Sequence, residues 1–71
     1  MDGITEQHRL QEVESQVQRL EEDIAFQQQM IARLEQGGHD VRAARMFLRR
    51  LKGQQAKLVA ERDRLFKELT P

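Results

Sequence analysis

Ile31-Ala32-Arg33-Leu34-Glu35-Gln36-Gly37-Gly38-His39-Asp40-Val41-Arg42-Ala43-Ala44 is the stretch that decides the fold of this chain. A Gly-Gly pair is costly inside a helix and readily takes the left-handed conformation that ends one. Asp40 suits the N-cap of a following helix, its carboxylate accepting from exposed backbone N–H groups near Ala43. On both sides the composition is dominated by Ala, Glu, Gln, Leu, Arg and Lys, all good helix formers. The spacing predicts a first helix over 5–36 with Thr5 as its N-cap, a turn over 37–40, and a second helix over 40–69 that stops before Pro71. Residues 1–71 read as one helical-hairpin domain.

Working outward from the turn, apolar residues recur in steps of three and four. With Leu10 as an a position of a heptad, a is Leu10, Val17, Ile24 and Ile31, and d is Val13, Leu20, Gln27 and Leu34. In the second arm a is Val41, Leu48, Gln55, Arg62 and Leu69, and d is Ala44, Leu51, Leu58 and Leu65. Sustained a/d spacing of this kind predicts an all-α antiparallel coiled-coil hairpin, because so short a connection lays the arms side by side. Folding about the glycines pairs Leu34 with Val41, Ile31 with Ala44, Ile24 with Leu51, Val17 with Leu58 and Leu10 with Leu65. Beside that seam, Glu21 is expected to face Lys52, Arg9 to face Glu68, and Met30 to face Phe47. Gln27, Gln55 and Arg62 are polar at seam positions. They either reach out to solvent or pair across a larger bundle and fix its register. Gly53 falls at an outer f position of the second arm.

A chain of 71 residues seldom supports more than roughly 3–5 kcal/mol of stability from a single core. Small chains compensate with disulfides, a structural metal or association. Cysteine is absent, which excludes disulfides and thiolate metal sites and fits a reducing compartment. No run approaches the ~18 uninterrupted apolar residues of a membrane span, and Met1-Asp2-Gly3-Ile4-Thr5-Glu6 does not look like a secretory signal. The compartment expected is the cytoplasm, with no membrane contact.

Association is therefore the predicted source of further stability. Phe26 and Met30 lie one turn apart on the first arm, Phe47 falls near the turn on the second, and Val59 and Phe66 flank the seam at its other end. Apolar residues beside a and d widen a two-helix seam into a bundle face. Phe26, Met30, Phe47, Leu48, Leu51, Val59 and Phe66 are the candidate interface of a homodimeric four-helix bundle, with another, unidentified protein as the alternative partner.

Charge is balanced overall but unevenly placed. Residues 1–36 carry eight acids and three bases, and residues 37–71 carry four acids and nine bases. Arg42, Arg45, Arg49 and Lys52 share one face of the second arm, and no acid occurs from Val41 to Ala60. Such a stripe is a candidate contact for nucleic-acid phosphates or an acidic partner. The other reading is that it pairs with Glu14, Glu21, Glu22 and Asp23 of the same or a neighbouring chain, which the zero net charge and the lack of an interleaved aromatic favour. For chemistry there is little material. Ser15 is the lone serine and sits at an outer position. His8 reads as a solvated side chain and His39 as a turn residue, and the consecutive acids Glu21-Glu22-Asp23 point in different directions on a helix. No catalytic, cofactor-binding or metal site is predicted, and the chain reads as a non-enzyme.

Gly38-His39-Asp40, Ala43-Ala44, Arg62-Asp63-Arg64-Leu65 and Glu68-Leu69, with Ile31-Ala32-Arg33-Leu34-Glu35 before the turn, resemble a group of small uncharacterised bacterial helical-hairpin proteins with a Gly-His-Asp turn. The likeness spans residues 20–69. It implies a bacterial, cytoplasmic hairpin and carries no activity with it.

Overall fold

The computed structural model describes residues 2–70, with side chains from residue 4 to residue 70. Two α-helices, α1 (Asp2–Gln36) and α2 (Arg42–Leu69), fold back on one another, and no strand occurs among the described residues. The result is a rod of 55 × 15 × 14 Å. Neither described helix is long and apolar enough to cross a membrane.

The elbow is built by backbone hydrogen bonds. Gly38 takes φ of 76°, the left-handed conformation that residues with a Cβ avoid. With that reversal the N–H of His39 donates to the Leu34 carbonyl at 2.9 Å, and the N–H of Gly38 donates to the Glu35 carbonyl at 3.0 Å. This crossed pair satisfies carbonyls that the end of α1 would otherwise leave open. The Asp40 carboxylate accepts from the backbone N–H of Arg42 at 3.0 Å, one residue earlier than Ala43. Accordingly α2 begins at Arg42 rather than at residue 40, with Val41 at φ −112°, ψ 12° between them. The cause is Val41 itself. Its side chain is only 8% exposed, and the non-helical residue swings it into the seam.

At the other end α1 starts at Asp2, so Thr5 lies inside the helix and does not cap it. Adding a turn to an existing helix costs far less than starting one, and nothing in Ile4-Thr5-Glu6 breaks it. Helix α2 ends at Leu69, with Thr70 extended at φ −97°, ψ 122°. A residue before proline is pushed toward that conformation. Pro71 itself lies outside the described residues. The Thr70 hydroxyl donates to the Phe66 carbonyl at 2.8 Å and closes the last turn.

All the a and d residues, from Leu10 to Leu34 and from Val41 to Leu69, are buried or half-buried. Outside those positions, among the described residues, only Glu6, Arg9, Val59 and Glu61 are half-buried. Packing is tightest toward the open end, where Val13, Val17 and Leu65 form one cluster with Leu10, Leu58 and Val59 against it. Val13 is completely buried. The polar seam residues Gln27, Gln55 and Arg62 are half-buried, and no buried side-chain polar atom among the described residues lacks a partner. Arg62 sends its guanidinium outward to Asp63 at 3.2 Å, so its stem lies in the seam and its charge does not.

The helical Gly53 and the turn residue Gly38 behave oppositely. A Cβ at Gly53 would meet nothing within 4 Å, so Gly53→Ala gains stability by about 1 kcal/mol from helix propensity alone. Gly38→Ala forces a side chain into the left-handed region and loses roughly 1–2 kcal/mol. Urea unfolding of the two variants beside the parent checks both signs.

Candidate interaction surfaces

A two-helix layer has two broad faces, one on each flank of its seam. On the first, Arg9 of α1 meets Glu61 of α2 through two hydrogen bonds of 2.9 and 3.0 Å. Seven residues on, Gln16 and Gln54 line a shallow groove of about 220 Å³ together with Leu20 and Leu58. A further step of seven brings Asp23 opposite Phe47 across a groove of about 230 Å³, walled by Phe26 and floored by Gln27 and Leu51. This is the Phe47 face, ion-paired at the open end and apolar toward the turn.

The other flank reverses the order. Glu35 pairs with Arg45 beside the turn. Next comes a groove of about 310 Å³ floored by Ile31 and Leu48 and edged by Gln28, Arg45, Arg49 and Lys52. Two further heptad steps along α2 from Lys52 reach Val59 and Phe66 at the open end. On this Phe66 face the charged edge lies near the turn and the apolar residues lie far from it.

The flanking pairs differ in detail from those that simple juxtaposition suggests. Arg9 binds Glu61 instead of Glu68, whose carboxylate sits 3.8 Å from Arg64 of its own helix. Phe47 lies across from Asp23 and Phe26, and Lys52 shares its groove edge with Gln28 and forms no ion pair with Glu21. The reason is geometric. Flanking pairs of an antiparallel hairpin run diagonally, so Arg9–Glu61 and Glu35–Arg45 lie to either side of a register centred on seam residues whose numbers add to 75.

Among the candidate interface residues, the structure separates those that bury themselves from those that do not. Leu51 is buried in the seam, Leu48 is half-buried, and Val59 packs on the Val13 cluster. Phe26 is 59% exposed, Phe47 48%, Phe66 61% and Met30 36%. Phe26 and Phe47 lie on one face and Phe66 on the other, so a single flat contact cannot cover all three. Ile4 and Met46 are also exposed, and sequence reading passed over both. Ile4 preceded the expected helix start. Once α1 is extended to Asp2, Ile4 falls at the open end on the side of Phe66. Met46 points away from the seam at an f position.

The basic stripe is half occupied. Arg42 folds back on Asp40 at 2.8 Å, which pulls that carboxyl below the usual carboxylate range, and Arg45 pairs with Glu35. Arg49 and Lys52 lie on the same side of α2 with no ion pair among the described residues, as do Glu14 and Glu21 on α1. Intrachain neutralisation therefore accounts for only part of the stripe. His8 and His39 stand at opposite ends of the rod, and no group of three His, Asp or Glu side chains converges among the described residues.

Hydrogen bonds from Arg9 hold the Glu61 carboxyl below the usual glutamate range, against its partial burial. A depressed native pKa means that the stabilisation is complete above the unfolded-state value, ~4.3, and is lost as pH falls through the lower native one. Glu61→Gln melts below the parent at neutral pH, and the gap between the two closes as acidification takes pH through the depressed pKa. Thermal unfolding against pH reads this directly.

Comparison with protein-family models, with curated proteins and with solved structures finds no match to this chain.

Proposed function

We propose that this chain is a non-enzymatic helical-hairpin module that self-associates and serves as a structural or adaptor protein through protein–protein contacts. One observation carries the reading. Phe26, Phe47 and Phe66 are the only aromatics in the sequence, and each is about half exposed or more. A side chain of this kind gains about 1.5–3 kcal/mol on full burial. A second hairpin laid on one of the two faces supplies that burial for the phenylalanines of that face and makes a four-helix bundle. A two-fold pair is the commonest closed arrangement.

The unpaired charges support the same reading. Free acids on α1 and free bases on α2 neutralise one another between copies without a further partner. Phosphate binding by the basic face is the second reading, favoured by Arg49 and Lys52 having no acid of their own. It is weakened by the engagement of Arg42 with Asp40 and Arg45 with Glu35.

Sedimentation equilibrium over a range of concentrations tests the leading reading. The chain is expected to run as a dimer or larger species. Phe47→Asp combined with Phe66→Asp is expected to shift it to a helical monomer, since neither side chain belongs to the hairpin's own core. A parent chain that stays monomeric at high micromolar concentration refutes self-association. A salt-dependent mobility shift with RNA or duplex DNA, lost in Arg49→Glu with Lys52→Glu, would put phosphate binding in first place.

A further inference from the structure

Resting on the self-association just proposed, we infer that the Phe66 face is where two copies meet. They lie antiparallel, with Phe66 of each seated in the Ile31–Leu48 groove of the other. The face carries both halves of such a contact. Phe66 is a knob with 61% of its surface exposed. On the same flank, the groove floored by Ile31 and Leu48 holds about 310 Å³. Leu48 and Phe66 are 18 residues apart on α2, which is five full turns and ~27 Å of helix. Leu48 floors the seam and Phe66 stands beside it, on the flank into which the groove opens. No hairpin can put its own Phe66 into its own groove across that distance, but a neighbour turned end for end can.

The axis of such a pair lies in the contact plane, across the rod, level with the midpoint between Leu48 and Phe66. That midpoint falls beside Ala56, an exposed small residue on the same flank. Rotation about it exchanges knob for groove twice, so the contact is closed and self-complementary. It also brings the open-end half of one copy over the turn half of the other. Glu14, exposed and without an ion pair in the Phe66 half, comes to the level of Lys52 and Arg49, exposed and without ion pairs at the groove edge. Opposite charges share a level, diagonally across the contact, at both of its ends. The parallel alternative, with both turns together, sets Phe66 over Gln7, Gln11 and Glu14 and leaves the groove empty. Charge and shape select the same orientation. The Phe47 face remains outward in this pair.

Two measurements test the face and the orientation separately. Phe66→Ala is expected to raise the dimer dissociation constant by roughly 10- to 100-fold, while Phe47→Ala leaves it within a few-fold, and both keep the parent's helical circular dichroism. Because the chain contains no cysteine, Ala56→Cys is a clean reporter. Two such residues meet across the axis and form a covalent dimer on mild oxidation, whereas His39→Cys at the turn does not. A dimer weakened by Phe47→Ala and indifferent to Phe66→Ala overturns the choice of face while self-association stands. Cross-linking through His39→Cys, or a persistent dimer in which Ala56→Cys fails to cross-link, overturns the antiparallel pairing. A monomeric parent chain removes the reading on which the inference rests, and the inference with it.

Discussion

The left-handed turn at Gly38 is the constraint on which the rest of the hairpin depends. It ends α1 through two backbone hydrogen bonds, to Leu34 and Glu35, and in doing so aims the chain back along the helix it has just left. The distance from Gly38 to Val41 then determines which residue of α2 first enters the seam. Every later layer inherits that choice, because two rods with a shared period cannot shift against each other by one residue without turning apolar side chains outward. Arg9–Glu61 near the open end and Glu35–Arg45 at the turn agree on the same register although they are separated by most of the rod's length.

Much of this arrangement was legible in the residues alone. The Gly-Gly break, the two helical arms and the seam positions follow from spacing and backbone chemistry, and burial follows the a and d pattern even at Gln27, Gln55 and Arg62. What was not legible lay where one residue of phase matters. Val41 spends a residue outside the helix to bury its side chain, which moves the start of α2 and shifts the bond from Asp40 to Arg42. The flanking contacts run diagonally, so Glu61 and not Glu68 reaches Arg9. Ile4 stayed out of view because a helix start with no strong cap leaves little trace in composition.

The candidate surface was legible as a set of residues but not as a geometry. Phe26, Phe47 and Phe66 are conspicuous in a chain with no other aromatics, and their exposure follows from a seam too narrow to hold them. Their division between two faces depends on whether each precedes or follows the seam, at c and g or at e. That division changes the meaning of the set. In place of one broad apolar face there are two, each half apolar and half charged, with the halves in opposite order along the rod. Complementarity between opposite halves of one face is what distinguishes an antiparallel partner from a parallel one.

The best-packed layer of the molecule, around Val13, Val17 and Leu65, is also remote from the turn in chain order. Closing it requires bringing together residues separated by some fifty positions, with the loop-closure entropy of that whole span to be met before any of its contacts form. Layers nearer the elbow close more cheaply but return less, since grooves run along both sides of the seam there. The layer around Val13, Val17 and Leu65 is therefore the clasp that keeps the two arms from splaying apart at the end away from the elbow.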